Sequence, residues 1–233
     1  MCGGNLEPKL ALALDVENQE EAFSILDQLG NEKIIIKIGY LLFIKEGSDL
    51  IKKIKKKGFE VFLDLKLHDI PNTVYNGVKS AVEIGADYLT IHTLGGKEMM
   101  EKAVEAKRGS DLKLLGVTVL TSHNEDYLKY LGTRYSLDQL ALKLAKTAVS
   151  LGVDGIVSSP FEVRRLKEEI KKEFICVTPG IRFSNSDDDQ KRVATPEFAV
   201  KEGADILVIG RPIIKAENKK ELIKEIHRIL QNA

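Results

Sequence analysis

The sequence predicts an α/β protein, a single (β/α)8 or TIM barrel forming one catalytic domain over residues 1–233. Three observations lead to this prediction. Eight short apolar runs alternate with amphipathic helical segments along 233 residues, a length that suits one such barrel. A Gly-x-Asp segment leads from a helix into a strand three times. Polar residues interrupt the apolar runs toward their carboxyl ends, where these barrels hold the active site. An open doubly wound sheet is the rival arrangement.

The elements of the first half are predicted from runs of aliphatic and β-branched residues and from apolar residues at helical spacing. Strands are predicted at residues 10–16, 34–38, 61–67 and 88–92. The helices that follow them are predicted at 18–29, in a Lys-rich segment ending at 58, at 73–84 and at 98–106. Asn18 suits the N-cap of the first helix, because its side-chain oxygen can accept a backbone N–H.

The second half repeats the same alternation. Strands are predicted at residues 114–120, 155–159, 174–178 and 206–210. Helices are predicted in a long segment ending near 151, then at 161–172, 196–202 and 218–230. No linker or low-complexity segment divides the chain, which favours one domain.

Composition excludes several classes of protein. Lys+Arg and Asp+Glu both number 35, so no net charge favours nucleic acid or an anionic membrane as a partner. The hydrophobic fraction of 43% is enough for a full core. Two cysteines do not indicate a disulfide scaffold, and a reducing cytoplasm fits them. We expect neither a membrane span nor a secretory leader, because no apolar run is long enough.

The stretch from residue 61 to residue 73 carries the strongest functional signal. It reads Val-Phe-Leu-Asp-Leu-Lys-Leu-His-Asp-Ile-Pro-Asn-Thr, an apolar strand interrupted by Asp64 and Lys66. Side chains two positions apart on a strand point to one face, so these charges are predicted to lie together in the barrel interior. Asp69 follows, and Pro71 ends the sheet. A structural ion pair at a strand end is the alternative.

Charged residues on two neighbouring strands extend this pair. Lys37 interrupts the second strand, and Asp15 lies near the end of the first. Alternating carboxylates and amines keep an amine protonated, because they oppose the desolvation that lowers the pKa of a buried lysine. A protonated amine donates a proton well but cannot form a Schiff base. The pattern therefore favours proton donation by Lys66 over an aldolase mechanism.

Two loops after the seventh and eighth strands indicate a phosphate site. They contain Gly180-Ile-Arg182 and Gly210-Arg-Pro212, and barrels often bind phosphate between these loops through backbone N–H groups. Glycine lets the backbone approach the anion, and Arg211 has the fork geometry to bind it. Two ordinary turns that contain arginine are the alternative. The polar segment 183–190 is predicted to be either a lid or a solvated acidic loop.

Thr121 and the histidines leave further alternatives open. The Thr121 hydroxyl suits either a ligand amide or the cap of the next helix. Asp64, His68 and His92 could approach one another at the barrel mouth and so raise the question of a metal. The sequence has no compact metal-ligand motif, and the Lys66 ammonium would repel a cation. The sequence therefore predicts no metal.

Taken together, these residues resemble a known family. Residues 64–73 look like the D-x-K-x-x-D-I-P-N-T signature of the orotidine 5′-phosphate decarboxylase family. The family's other sequence blocks have similar counterparts in this chain, in the same order, at residues 13–15, 37–39, 117–122, 178–182, 189–192 and 210–213. The likeness is of the bacterial type and covers nearly the whole chain, and the joint pattern is far more specific than any one block.

The resemblance implies a homodimeric barrel that converts orotidine 5′-monophosphate to UMP and CO2 in pyrimidine biosynthesis, without a cofactor. Lys66 would donate the proton to C6 of the pyrimidine. Lys37, Asp64 and Lys66 would form a charged group together with Asp69 of the partner subunit. Asp64 would lie near the carboxylate of the substrate.

The resemblance also implies how the nucleoside would be bound. Asp15 and Lys37 would hold the ribose hydroxyls, and Thr73 would arrive from the partner subunit. Thr121 would contact the pyrimidine, with Pro179 close by.

The phosphate would be bound, by the same resemblance, at the last two strands. Gln190, Gly210 and Arg211 would grip it, and Arg182 would lie on the same side. The phosphate is remote from the bond that breaks, so its binding energy would drive loop closure and hold the pyrimidine in place.

Two other functions remain as alternatives. A metal-dependent sugar-phosphate decarboxylase or synthase on the same barrel also carries D-x-K-x-x-D. The I-P-N-T extension and the P-G-I-R block seen here are not expected in that group. A non-catalytic nucleotide-binding protein is the second alternative, and the complete set of alternating charges argues against it.

Overall fold

The computed structural model describes residues 7–120, 122–183 and 194–232. Within them, parallel strands form a closed barrel in sequential order, in which the last strand pairs with the first. The strands are β1 Lys9–Ala13, β2 Ile35–Ile38, β3 Glu60–Leu67, β4 Tyr88–His92, β5 Lys113–Val117, β6 Gly155–Val157, β7 Ile175–Thr178 and β8 Ile206–Ile209. The predicted (β/α)8 barrel is confirmed, and the open doubly wound sheet is wrong.

Helices follow the strands around the outside of the barrel. They are α1 Gln19–Leu29, α2 Tyr40–Lys56, α3 Pro71–Glu83, α4 Lys97–Ala106, α5 Glu125–Leu131, α6 Leu137–Ser150, α7 Val163–Glu169, α8 Pro196–Lys201, α9 Arg211–Ile214 and α10 Lys219–Asn232. The Asn18 side chain accepts the Glu21 N–H at 2.9 Å, which confirms the predicted cap of α1. None of the helices in the described ranges is long and apolar enough to cross a membrane.

The fifth strand is shorter than the sequence predicts. Strand β5 ends at Val117 rather than at residue 120, because its pairing with β6 ends where Val117 meets Val157. Beyond that point the chain turns, and the His123 N–H donates to the Leu120 carbonyl at 2.9 Å. Apolar residues continue past Val117, so the sequence pattern alone does not show where the partner strand stops.

The core has two layers, inside and outside the strands. The barrel interior is filled by a buried cluster that comprises Ala11, Ala13, Ile35, Phe62, Tyr88, Leu115, Val177, Ile206 and Val208. A larger cluster fills the space between the strands and the surrounding helices. The interior is therefore packed like the core of other barrels of this class, and a ligand has access only at its ends.

The three Gly-x-Asp segments form one repeated structure at the amino-terminal end of the barrel. The carboxylates of Asp87, Asp154 and Asp205 accept backbone N–H groups of the preceding odd-numbered strand at 2.7, 2.8 and 2.7 Å. Each also pairs with a helix-side lysine, at 2.6, 2.8 and 2.7 Å. These contacts join the sheet to the helices at the amino-terminal end of the barrel. The predicted site lies at the opposite, carboxyl end, which these contacts do not occupy.

Candidate active site

Three charged side chains meet at the carboxyl ends of β2 and β3, inside the mouth of the barrel. The Lys37 ammonium lies 3.2 Å from Asp64 Oδ2, and the Lys66 ammonium lies 2.9 Å from Asp64 Oδ1. The Lys37 and Asp64 side chains are each 13% exposed, whereas Lys66 is 30% exposed. We refer to these residues as the Lys–Asp–Lys array. Asp64 bridges its two amines, and the more accessible amine is that of Lys66.

The array holds Asp64 in its ionised form. Burial by itself would raise the pKa of Asp64, because a low-dielectric surrounding disfavours the charge. The charges of Lys37 and Lys66, together with hydrogen bonds from Lys66 and Thr90, outweigh burial, so the pKa of Asp64 lies below its usual value. Two amines beside one carboxylate give the array a net positive charge, which suits an anionic ligand.

The backbone between Asp64 and Lys66 does not follow a regular strand. Lys66 has φ 46°, in the left-handed region, and the pairing of β3 with β4 shifts between Leu63 and Leu67. Over this stretch β3 uses two more residues than β4. The predicted contact between Asp64 and Lys66 is present, but simple strand alternation was an incomplete reason for it, because an irregularity of the strand also directs the amine.

Thr90 on β4 links the two halves of this irregular stretch. Its hydroxyl accepts the Lys66 backbone N–H at 2.9 Å and donates to Asp64 Oδ1 at 2.8 Å. Thr90 is 1% exposed. Thr90 is not among the site residues predicted from the sequence, although its spacing carries a signal: Tyr88, Thr90 and His92 alternate along one strand, which places Thr90 on the interior face.

Two histidines stack beside the array. The ring centroids of His68 and His92 lie 5.1 Å apart at an interplanar angle of 26°. Burial, together with the nearby His68, Lys66 and His123, lowers the pKa of His92 to about 4. Its Nδ1 accepts the Leu94 N–H at 3.4 Å, so the proton of the neutral ring lies on Nε2. His92 is therefore a neutral donor near the mouth at pH 7.

The residues considered as metal ligands do not share one arrangement. Asp64 is engaged by two lysines, whereas His68 and His92 stack on each other. Across residues 7–120, 122–183 and 194–232, no group of three or more His, Cys, Asp or Glu side chains is placed to hold a metal ion. The absence of a metal from the reaction stays a prediction.

Asp69 and Thr73 lie outside the array of their own chain. Both are exposed, Asp69 just before α3 and Thr73 in its first turn. Asp69 Oδ1 accepts the Ile70 N–H at 2.7 Å and takes no part in the ion pairs of the array. Their position at the surface leaves them free to face a neighbouring subunit.

Other predicted site residues surround the mouth on the β1 and β8 side. Asp15 is exposed beyond β1, and its Oδ1 lies 3.6 Å from the position that a Cβ would take at Gly39, just after β2. A Cβ at Gly210, just after β8, would lie 3.2 Å from the Ala13 Cβ on β1. Glycine therefore keeps this backbone close to β1. Arg211 begins α9 and is exposed.

The remaining predicted residues follow β5 and β7. Pro179 is half-buried directly after β7, and Arg182 is exposed three residues later. The Arg182 N–H donates to the Ala194 carbonyl at 3.0 Å, which returns the chain toward α8. Thr121 and Gln190 lie outside the described residues, so their contacts stay predictions.

The chemistry available at this mouth is that of a fixed cation. A partly buried ammonium, held by an ionised carboxylate, stabilises negative charge that develops beside it and can supply a proton to that charge.

A family model described as "Orotidine 5'-phosphate decarboxylase / HUMPS family" matches residues 8–226.

The chain belongs to this family.

Relatives in the orotidine 5′-phosphate decarboxylase / HUMPS family match along nearly their full length. A protein named orotidine 5′-phosphate decarboxylase from Carboxydothermus hydrogenoformans is 46% identical over 222 residues, covering 92% of each chain. One of the same name from Legionella pneumophila strain Lens is 44% identical over 229 residues, covering 97% of this chain and 100% of the relative. The crystal structure of orotidine 5′-phosphate decarboxylase from Lactobacillus acidophilus has a TM-score of 0.87 at 40% identity, covering 97% and 100%.

The resemblance inferred from sequence blocks is thus confirmed. The orotidine 5′-phosphate decarboxylase signature at residues 64–73 spans two environments. Its first part, with Asp64 and Lys66, lies in the barrel interior at the end of β3. Its last part, with Asp69 and Thr73, is exposed at the start of α3. The structure therefore brings the first part into the array and leaves the second part at the surface.

Proposed function

We propose that this protein is an orotidine 5′-monophosphate decarboxylase, which makes UMP and CO2 without a cofactor. The observation that carries the proposal is the Lys–Asp–Lys array at the carboxyl end of a barrel of this family, with the Lys66 ammonium bound to Asp64 at 2.9 Å. The names of relatives that are 44–46% identical over almost the whole chain support the same activity.

The proposed reaction needs a cation and a proton at one carbon. When the bond between C6 and the carboxylate breaks, CO2 leaves and the electron pair stays on C6, where the pyrimidine ring delocalises it little. The Lys66 ammonium stabilises this charge as it develops and then transfers a proton to C6. Solvent returns a proton to the resulting amine, which completes the cycle.

Asp64 has two roles in this proposal. It holds the Lys66 and Lys37 amines in place through its two oxygens. Its ionised carboxylate also faces the substrate carboxylate, and loss of CO2 removes that repulsion between like charges. We expect Lys37 to hold a ribose hydroxyl as well, together with Asp15.

The rest of the substrate would be held at the mouth by residues on several loops. We propose that Thr121 and Pro179 contact the pyrimidine, that Gln190, Gly210 and Arg211 bind the phosphate, and that Arg182 lies on the phosphate side. Gly210 supports this proposal, because its lack of a Cβ lets the backbone after β8 pass close to β1, at the place where barrels of this class often bind phosphate through backbone N–H groups.

We further propose a homodimer in which Asp69 and Thr73 of one subunit complete the site of the other. Both residues are exposed, and so is the adjoining Ile70, by 67%. Two apolar side chains of α2 are exposed as well, Tyr40 by 53% and Ile44 by 78%. Exposed large apolar residues of this kind are typical of a surface that a partner covers. A cytoplasmic location is part of the proposal, since the buried free thiol of Cys176 fits a reducing compartment.

The test is a direct assay of orotidine 5′-monophosphate by its absorbance, with and without EDTA. We expect the wild type to consume the substrate at the same rate under both conditions and to release UMP. Activity that disappears with EDTA and returns with Mg²⁺ would favour the metal-dependent relative. UMP binding without turnover would favour the non-catalytic protein.

A variant of the proton donor tests the assignment of Lys66. Lys66→Ala removes both the cation and the proton, so we expect kcat to fall by at least about a thousandfold. Lys129→Ala is the matched control, because Lys129 is an exposed lysine in an ion pair with Asp126 and its side chain is 80% exposed. Turnover near the wild-type rate in folded Lys66→Ala would remove the assignment.

A further inference from the structure

The backbone of Lys66 adopts a conformation that its side chain disfavours. With φ 46°, it is the one residue other than glycine with a positive φ in the described ranges. A Cβ in the left-handed region crowds the following carbonyl, so such a conformation persists only where surrounding contacts hold it. The shift of pairing between Leu63 and Leu67 shows that regular ladder bonds to β4 do not supply those contacts here.

The Thr90 hydroxyl supplies one of them. It accepts the Lys66 N–H at 2.9 Å and donates its own proton to Asp64 Oδ1 at 2.8 Å, and the same Asp64 oxygen accepts from Lys66 Nζ at 2.9 Å. The result is a closed ring of hydrogen bonds that runs through the main chain and the side chain of Lys66. Because Thr90 is 1% exposed, water does not compete for these bonds.

We propose that Thr90 is a positioning residue for Lys66: its hydroxyl fixes the left-handed backbone of Lys66 and orients Asp64, and so aims the ammonium at the reacting carbon. This inference rests on the proposed decarboxylase function for its effect on turnover. The single hydroxyl oxygen of Thr90 makes both bonds, because a hydroxyl accepts from one partner and donates to the other. Serine retains that ability, whereas valine has the shape of threonine and makes neither bond.

Thr93, a second buried threonine in the same region, has a hydroxyl whose hydrogen bond is structural only. Thr93 is 1% exposed, and its Oγ1 donates to the Val117 carbonyl at 2.8 Å, away from the array. Removing it also costs a buried hydrogen bond, but none that involves a catalytic side chain. Thr93→Val is therefore a matched control for Thr90→Val.

The experiment compares turnover with ligand affinity in Thr90→Val, Thr90→Ser and Thr93→Val. In Thr90→Val we expect kcat to fall by roughly ten- to a hundredfold, because the ammonium is misaligned in the transition state. We expect the Kd for UMP, measured by calorimetry, to stay within about twofold, because the ribose and phosphate contacts are intact. Thr90→Ser should recover most of kcat, and Thr93→Val should keep the wild-type kcat.

Three results would overturn the proposal: wild-type kcat in Thr90→Val, an equal loss in Thr93→Val, or a Thr90→Ser variant as impaired as Thr90→Val. Should Thr90→Val fail to fold, Thr90→Ala replaces it in the same comparison.

A second measurement is independent of activity, so it separates this proposal from the proposed function. We expect amide hydrogen exchange at Lys66 to accelerate in Thr90→Val and to stay at the wild-type rate in Thr93→Val, because only Thr90 accepts that N–H. Unchanged exchange in Thr90→Val contradicts the proposal even if the wild type is an active decarboxylase. Faster exchange in a protein that does not consume orotidine 5′-monophosphate supports the positioning contact and removes the function.

Discussion

At the scale of the residue, the chemistry of the mouth depends on which side chains carry charge at neutral pH. Asp64 is ionised because the charges of Lys37 and Lys66, together with hydrogen bonds from Lys66 and Thr90, outweigh the cost of its burial. His92, only two residues beyond Thr90 on the same strand, is neutral because burial and the nearby His68, Lys66 and His123 lower its pKa to about 4. Burial disfavours the charged form of both groups, but neighbouring groups overcome it only at Asp64, so Asp64 is charged and His92 is neutral at pH 7.

The low pKa of His92 predicts a pH dependence of stability. Between pH 6.5 and about 4 the unfolded chain binds a proton at this histidine and the folded protein does not. The free energy of unfolding therefore falls as the pH decreases through that window. We expect His92→Gln to lose less stability than the wild type across it, as measured by urea unfolding at several pH values. Parallel curves for the two proteins would contradict the prediction, because other titrating groups are common to both.

At the scale of the element, the repeated Gly-x-Asp segments join each even-numbered strand after β2 to its odd-numbered neighbour. Gly85, Gly152 and Gly203 have φ of 85°, 98° and 100°, a region open to glycine, and so let the chain turn from helix to strand. The aspartate two residues later then meets both a strand N–H and a lysine from the helical layer. The repeated contacts hold the helices in position against the sheet at the end of the barrel remote from the Lys–Asp–Lys array.

The Gly-x-Asp repeat predicts that replacing its aspartate lowers the free energy of unfolding but has little effect on activity. Asp205 accepts the Cys176 N–H at 2.7 Å and the Lys167 ammonium at 2.7 Å. Asp205→Ala leaves both donors without this partner, so we expect the free energy of unfolding to drop by about 1–3 kcal/mol. Urea unfolding at fixed protein concentration measures the change.

The control for this variant is an exposed ion pair of similar length. Asp27 pairs with Lys57 at 2.6 Å, but its side chain is 64% exposed, so Asp27→Ala should cost no more than about 1 kcal/mol. Equal losses in Asp205→Ala and Asp27→Ala would show that the repeat has no special role.

At the scale of the whole molecule, the chain brings only part of its signature into the barrel. Lys37, Asp64 and Lys66 meet within one chain, whereas Asp69 and Thr73 face outward. The proposed shared site at a two-fold interface would account for both observations, because the same surface of each subunit would then contribute to the mouth of the other.

Mixed dimers test whether the site is shared. Lys66→Ala and Asp69→Ala should each be nearly inactive alone, because each lacks one member of every site. After unfolding and refolding together in equal amounts, half of the dimers are mixed and each has one intact site, so we expect about a quarter of the wild-type activity. Mixing Lys66→Ala with Asp64→Ala is the control and should recover none, because both residues belong to one chain's site. No recovery in the first mixture would show that the site is private to each subunit.

The sequence by itself determined the barrel, its order of strands, the family and the charged residues of the mouth. These depend on local patterns: apolar runs at strand and helix spacing, Gly-x-Asp before strands, and charges inside apolar segments. Only the tertiary structure decided where β5 ends, since that depends on the length of its neighbour β6. Only the tertiary structure likewise decided the left-handed turn at Lys66 and the bond between Lys66 and Thr90. Alternation along β4 places Thr90 on the interior face, but it does not show which residue, here 24 positions away, meets its hydroxyl.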